Sequence, residues 1–328
     1  MFVIDGHKKP GKAQISSDNQ KIKAMLALGD YHVEQSYMEG YEQSMDTAMA
    51  LAQKSEKLAQ NIKSQKETGN TYLLYSKAYN YISDYDKSLA FSNKAIDIGK
   101  NIKDNTLLFY GNRTKFLAMR YVNAGITYDS ITKGNLNVAL STKNNMLIGQ
   151  AYEDCGLSLM YLGQGGNKEA IPCYETALLY YKKAGKGNLH FVYSQLAGLY
   201  SHFSEQEKAL RCITNALAIA EKYNDRSYDM ITLYTYGGVA YSVIDKWDKA
   251  IACYRKAYIA SKLYIDYDIR LVTSMDLWST LMRHDKKKEA QAVFEDMEQS
   301  YEKAGLSLQA RALSDFISEY IEQHEDAK

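Results

Sequence analysis

The sequence has little of what marks a sheet protein, a membrane protein or a nucleic-acid-binding protein. Its 328 residues include two prolines, and 40 basic side chains face 39 acidic ones, for a net charge of +1. That balance gives no electrostatic reason to bind nucleic acid. No apolar run reaches the roughly 18 residues of a membrane span, and no alternating Val, Ile and Thr run lies between turns. We expect an all-α protein with no membrane segment in this chain, located in the cytoplasm as written.

Residues that bind metals or act as nucleophiles are few and scattered. The histidines include no pair at ligand spacing, and no kinase, nuclease or hydrolase motif is present. Three of the four cysteines, Cys173, Cys212 and Cys253, recur at steps of 39 and 41 residues. Stacked helices about 10 Å apart would hold them beyond the roughly 7 Å that a disulfide tolerates. We expect free thiols, and no metal, cofactor or catalytic residue.

What the sequence does contain is a repeat. A period near 40 residues is typical of stacked supersecondary units, each of which buries its apolar face only against its neighbours. The period therefore predicts a solenoid. The recurring small residues, at steps of 40, 42, 40, 39, 41 and 40, are Ala48, Ser88, Ser130, Ala170, Ala209, Ala250 and Ala290.

Each repeat has the pattern of two antiparallel helices in which position fixes the residue type. In the first helix a small residue is followed three residues later by tyrosine, as at Ala197 and Tyr200. In the second helix the recurring small residue is followed by a bulky residue and then by alanine, as at Ala209, Ile213 and Ala216. This spacing puts each set on one helix face.

This order of residue types closely resembles the tetratricopeptide repeat over about residues 20–305. The period exceeds that family's usual length of about 34 residues, and is similar to the long-helix variant of kinesin light chains and bacterial peptide-sensing regulators. The resemblance implies a right-handed superhelical solenoid of about seven helical hairpins, spanning residues 19–305. Residues 1–18 lack a helical period and are predicted to form a flexible arm. Residues 306–328 are predicted to form a capping helix, Leu306 to Ile321, and a polar tail.

The first and third repeats are among those that depart from the pattern. In the first repeat, 19 residues separate Gly29 from Ala48 where other repeats have 12, which predicts an inserted loop near Met38 to Tyr41. In the third repeat, Gly134 and Asn137 stand where a bulky residue and alanine are expected. We expect altered packing at both places.

The turns between helices carry two short motifs. Ser204 followed by Glu207 is a capping-box pattern and predicts that Ser204 starts the second helix of the fifth repeat. Gly163 to Gly166 superficially resemble a phosphate loop, but no strand precedes them and no Gly-Lys-Ser/Thr follows. We interpret them as an interhelix turn.

In tetratricopeptide repeats the first helices line a groove that holds a peptide, and the resemblance implies the same role here. Asn can hold a peptide backbone and Lys can pair with a carboxylate, while later repeats become more apolar. This pattern suits a peptide with an acidic or C-terminal end and a hydrophobic body, although solvation of an exposed helix face would require similar residues. The candidate groove residues are Asn70, Lys77, Asn80, Tyr81, Asn112, Lys115, Met119, Asn123, Tyr152, Phe191, Ser194 and His202.

Two functional hypotheses follow. The first is a non-catalytic scaffold that binds a protein or peptide in the groove. The alternative is a ligand-sensing input domain of a bacterial sensor histidine kinase or transcriptional regulator, because residues 16–59 resemble the start of such repeat regions. A trimmed sensor region of that kind would be periplasmic. End repeats of solenoids often pair, so a homo-oligomer is a further expectation.

Overall fold

The computed structural model describes residues 18–36, 43–120, 122, 128–162, 167–223, 229–264, 266–303 and 305. Within these ranges the chain forms fourteen α-helices, none of which is long and apolar enough to cross a membrane. They are α1 (Asp18–Gln35), α2 (Ser44–Asn61), α3 (Gln65–Tyr81), α4 (Tyr85–Asn101), α5 (Asn105–Met119), α6 (Tyr128–Thr142), α7 (Asn145–Leu162), α8 (Ala170–Ala184), α9 (Leu189–His202), α10 (Gln206–Tyr223), α11 (Asp229–Val243), α12 (Trp247–Ser261), α13 (Tyr267–Arg283) and α14 (Lys287–Lys303).

The chain divides into two compact units, residues 1–225 and 226–328. The N-terminal unit contains five hairpins, α1/α2 to α9/α10, and each hairpin packs on the next. The C-terminal unit contains the hairpins α11/α12 and α13/α14, which pack through α12 and α13. This architecture confirms the predicted all-α repeat of about seven hairpins.

The small residues of the two helices in a hairpin face each other, as the repeat requires. The hydroxyl oxygens of Ser76 and Ser88 lie 3.2 Å apart, and Ser88 Oγ donates to the backbone oxygen of Ser76 at 2.8 Å. A Cβ added at Gly238 would collide with the ring of Tyr254. Small side chains therefore let the helix axes approach closely. Of the seven recurring small residues of the second helices, six are fully buried: Ala48, Ser88, Ala170, Ala209, Ala250 and Ala290.

The third repeat follows a different register from the predicted one. We call the recurring small position of the second helices the small column. Ser130 is exposed, so its assignment to this column is wrong. Thr132 and Ala139 are buried instead, and Leu136 packs against the core between them. The spacing of four and then three residues is kept but starts two residues later. The glycine and asparagine that did not fit the pattern are exposed because they never occupied the column.

Non-glycine residues in the left-handed conformation end many of the helices. Ser204 is one of them, with φ of 60°, and α10 begins only at Gln206, so the prediction that Ser204 caps this helix is wrong. The next residue can cap the following helix: Asp104 accepts from two backbone N–H groups of α5 at 3.0 Å. These turns satisfy helix-end groups at the cost of backbone strain. The residues with positive φ are Lys63, Ser83, Lys103, Lys143, Ser204, Asp245 and Asp285.

Several predictions concern residues outside the described ranges. They are most of the N-terminal arm, the inserted loop at Met38 to Tyr41, the glycine turn at 163–166, and the capping helix and tail. The limits of these segments stay predictions.

Candidate functional site

The first helices of the N-terminal unit bring charged side chains from different repeats together. Asp30 on α1 accepts a hydrogen bond from Lys77 Nζ on α3 at 2.8 Å. Glu34 lies one turn after Asp30 on α1 and is half-buried. Burial, and then the charge of Asp30, raise the pKa of Glu34 to about 7, although Lys77 lowers it in part. We call Asp30, Glu34 and Lys77 the α1/α3 cluster.

A second cluster lies two first helices further along the array. Arg113 Nη2 on α5 donates to Glu153 Oε1 on α7 at 2.6 Å, and lies 3.2 Å from Asp154 Oδ1. The hydroxyl of Tyr181 on α8 donates to the other oxygen of Glu153 at 2.5 Å. All four side chains are nearly inaccessible to solvent. We call them the α5/α7 cluster.

The α5/α7 cluster is only partly satisfied. Arg113 Nε and Nη1 have no hydrogen-bond partner, and neither carboxylate oxygen of Asp154 accepts a hydrogen bond. Burial raises the pKa of Asp154 to about 7, against the attraction of Arg113 and with the repulsion of Glu153. Burial lowers the pKa of Arg113, but the two carboxylates outweigh it and the net direction is upward. Buried polar atoms without partners are rare in folded proteins, so this cluster calls for a functional explanation.

Tyr110 on α5 connects the two clusters electrostatically. Burial raises the pKa of its phenol, the positive charge of Arg113 lowers it, and the negative charge of Asp30 raises it. The side chains that interact here come from α1, α3, α5, α7 and α8. The two clusters together place polar side chains on the first helices of four successive repeats, an arrangement that we call the polar track.

Four predicted groove residues lie on α3, and three of them have informative polar surroundings. Lys77 belongs to the α1/α3 cluster. Asn70 Nδ2 donates to Glu67 Oε2 of the same helix at 3.1 Å. Asn80 is half-buried, and its Oδ1 is enclosed without a hydrogen-bond partner. An enclosed acceptor of this kind could receive an N–H from a ligand.

Three other predicted groove residues contact second helices. Asn112 donates to Asn135 of α6 at 3.3 Å. Lys115 donates to the side-chain oxygen of a residue of α4, Asn93, at 3.0 Å. The ring of Tyr152 stacks on a tyrosine of α8, with ring centroids 6.0 Å apart. These side chains are therefore engaged between helices, rather than across the first-helix face.

The remaining predicted groove residues are more dispersed. Tyr81, Met119 and Phe191 are half-buried, and His202 is exposed with its ring edge-on to Phe203. Ser194 is buried, and its hydroxyl has no hydrogen-bond partner. Asn123 lies outside the described residues. The role of all twelve side chains in binding stays a prediction.

The prediction from sequence included Lys77 but missed the other charged members of the clusters, although a signal was present. Arg113 and Glu153 are 40 residues apart, which is one repeat. Asp30 and Lys77 are 47 apart, one repeat plus the seven residues by which 19 exceeds 12 in the first repeat. Opposite charges one period apart on first helices would have identified both pairs.

Metal chemistry finds no support in the described ranges. No group of three or more His, Cys, Asp or Glu side chains there is arranged to hold a metal ion. All four cysteines are free thiols, and burial raises the pKa of Cys212 to about 11. A thiol with a raised pKa is a poor nucleophile at neutral pH.

No family model matches the sequence, and no curated protein is similar enough in sequence to match. Solved structures share its fold. A Rap protein complexed with competence and sporulation factor superposes with a TM-score of 0.61 at 12% identity, covering 89% of this chain and 77% of that one. NprR in complex with its cognate peptide NprX gives 0.53 at 15% identity, with 93% and 86% covered.

A third similar structure is a STAND protein with a tetratricopeptide repeat sensor from Pyrococcus horikoshii. Its TM-score is 0.61 at 17% identity, and the match covers 90% of this chain but 46% of that protein. At identities of 12–17%, the similarity to these three structures is a similarity of fold. The chain is a tetratricopeptide-like helical repeat protein.

Proposed function

We propose that this chain is a non-catalytic scaffold that binds a peptide, or a segment of another protein, along the first helices of its repeats. The observation that carries the proposal is the polar track, whose two clusters lie on α1 and α3 and on α5 and α7, the first helices of four successive repeats. An extended ligand across these helices would contact several repeats at once. The Rap and NprR structures support the proposal, because each was solved with a bound partner on a similar fold.

The alternative role is that of a ligand-sensing input domain of a bacterial sensor histidine kinase or transcriptional regulator. The STAND protein favours it, because a tetratricopeptide repeat sensor is there part of a longer chain. The coding sequence before Met1 and after Lys328 separates the two roles. An adjoining kinase or DNA-binding domain would establish the sensor, and its location would follow from any leader. A free-standing scaffold would work in the cytoplasm.

The test of the scaffold is capture of partners from a lysate of the source cell, followed by mass spectrometry. The groove variant replaces Asn70 and Asn80 of α3 by Ala. Its matched control replaces two exposed asparagines of second helices, Asn61 of α2 and Asn101 of α4, by Ala. We expect one partner to be retained by the intact chain and the control, and lost by the groove variant. Equal retention by all three would contradict binding at the first helices.

Pairing of two chains through end repeats is a separate prediction. Light scattering of the purified chain would give its mass in solution. A value of 37.2 kDa at every concentration would contradict pairing.

A further inference from the structure

Each cluster on the first helices contains one more carboxylate than cation. In the α1/α3 cluster, Asp30 and Glu34 face Lys77. In the α5/α7 cluster, Glu153 and Asp154 face Arg113, and the charge of Arg120, just after α5, acts on Asp154 more weakly than that of Arg113. With every group ionised, each cluster carries a net charge of −1. Charge removed from water is costly unless it is paired, so a further positive charge beside the unsatisfied carboxylate of either cluster would be favourable.

We propose that the groove of the N-terminal unit binds a peptide with two basic side chains, one for each cluster. This inference rests on the proposed function and names the chemistry of its ligand. An ammonium or guanidinium group donates short, charge-assisted hydrogen bonds to a carboxylate. Such a group would balance the charge that Lys77 or Arg113 alone leaves uncompensated.

Asp154 is the strongest evidence for a missing cation. Its side chain is 2% exposed, yet neither oxygen accepts a hydrogen bond, and the nearest cationic nitrogen lies 3.2 Å away. The adjacent Glu153 has both oxygens hydrogen-bonded. Two adjacent carboxylates of α7 thus differ in their hydrogen bonds, and Asp154 is the one that could accept a hydrogen bond from a ligand. The raised pKa values of Asp154 and Glu34 agree, because a proton takes the place of the absent cation.

The same charges argue against an acidic ligand. Lys77 already pairs with Asp30, and Lys115 donates to Asn93. A carboxylate entering either cluster would add negative charge to a site with an excess of it. The expectation of a peptide with an acidic end is therefore replaced by that of a basic peptide.

The geometry of the array sets the spacing of the two basic residues. Helix α1 packs on α3, and α3 on α5, but α5 and α7 make few contacts. Packed helices lie about 8–10 Å apart, so the centres of the two clusters are separated by at least about 16–20 Å. An extended peptide advances about 3.3 Å per residue. The two basic residues of the peptide should therefore stand at least about five or six positions apart.

The test is selection from a displayed library of random twelve-residue peptides, using the intact chain as bait. We expect enriched peptides to carry two Lys or Arg residues at that separation. One synthetic enriched peptide is then titrated by fluorescence anisotropy against three proteins. They are the intact chain, a cluster variant with Glu34→Gln and Asp154→Asn, and a control with the exposed residues changed as Asp97→Asn and Glu207→Gln.

The intact chain and the control should bind the peptide equally, and the cluster variant at least tenfold more weakly. Replacing both basic residues of the peptide by Gln should cause the same loss, and combining both changes should add little. Enriched peptides without basic residues, whose binding still depends on Asn70 and Asn80, would overturn this inference and leave the proposed function standing. No enrichment over bare support would contradict both. Circular dichroism checks that each variant is folded.

Discussion

Asp154→Asn should make the protein more stable at neutral pH and leave its stability nearly unchanged at acidic pH. The raised pKa means that the folded state holds a proton on this carboxyl group that the unfolded state releases. Below about pH 4 the group is protonated in both states. As the pH rises from about 4 to about 7, the unfolded state alone ionises, so the free energy of unfolding falls. The loss is complete above about pH 7.

The size of the effect follows from the same shift. A rise from 3.8 to about 7 corresponds to at most about 4 kcal/mol, at about 1.4 kcal/mol per pKa unit. Asn has the shape of Asp and no charge, so the variant should lose this dependence on pH. The carboxyl group faces Arg113, Glu153 and Arg120, and Glu34 contributes a separate slope of the same sign. The variant should therefore flatten the pH dependence without abolishing it.

Glu153→Gln provides the matched comparison, because it removes the same charge from the adjacent residue. Glu153 accepts from Arg113 and Tyr181, so this change should destabilise the protein by about 3–5 kcal/mol. The assay is the urea midpoint by circular dichroism between pH 5 and pH 8. Equal losses in both variants would refute the distinction between a satisfied and an unsatisfied carboxylate. So would a midpoint for Asp154→Asn below that of the parent at pH 8.

Three further substitutions test the packing, each by its urea midpoint. Gly238→Ala should destabilise by about 1–3 kcal/mol, because the added Cβ meets the ring of Tyr254; an unchanged midpoint would contradict the close approach. Lys103→Gly should stabilise by up to about 1 kcal/mol, since Lys103 has φ of 54°, while Lys103→Ala keeps the strain and should not. Tyr200→Phe should cost about 1–2 kcal/mol, because the hydroxyl donates to Glu175 at 2.6 Å; no loss would mean that this bond contributes nothing.

The repeat could be predicted from sequence because each column needs one residue type on one helix face. Its register in the third repeat could not be predicted from the small column alone. Ser130 is small and stands at an acceptable step of 42 residues, so it satisfied the column without being buried. The bulky and alanine positions decided the register, and they fit only when counted from Thr132.

The helix ends were harder to predict for a related reason. Glycine is the usual sign of the left-handed residue that ends a helix, because other residues pay a steric penalty there. This chain places Lys, Ser and Asp at that position, as at Ser83 and Asp245. The next residue donates its N–H back into the preceding helix, at 2.9 Å from Asp84 to Tyr79. Backbone hydrogen bonds and the packing of the two flanking helices thus impose the left-handed turn. No single residue type at this position predicts it from the sequence.

The contacts of the candidate groove residues could not be predicted from the spacing of residues along one helix. Spacing placed Asn112 and Lys115 on a predicted groove face, yet their hydrogen-bond partners lie on α6 and α4. Which neighbour a side chain meets depends on how the helices pack, and no single helix encodes that. The charged pairs are an exception. Their two residues occupy nearly equivalent positions in adjacent repeats, so they stand about one period apart in the sequence and could have been found there.

The fold itself does not require the buried charges of the α5/α7 cluster. Arg113 and Glu153 each stand five residues before the small residue of their first helix, Ala118 and Ser158. Other repeats fill that buried column with uncharged residues. They are Thr71, Val192, Leu233 and Thr273. Units of the same architecture therefore pack with neutral side chains at this place.

A variant with uncharged residues in place of the α5/α7 cluster tests whether its charges serve stability or ligand binding. It combines Arg113→Leu, Glu153→Val and Asp154→Thr, with Tyr181→Phe so that no hydroxyl loses its acceptor. Replacing a buried ionic group by apolar side chains is often neutral or stabilising by about 1–4 kcal/mol. The variant should therefore unfold at the same or a higher urea concentration, while an enriched dibasic peptide binds at least tenfold more weakly. A marked loss of stability would show instead that the charges hold the repeats together, and the case for a ligand in the α5/α7 cluster would fail.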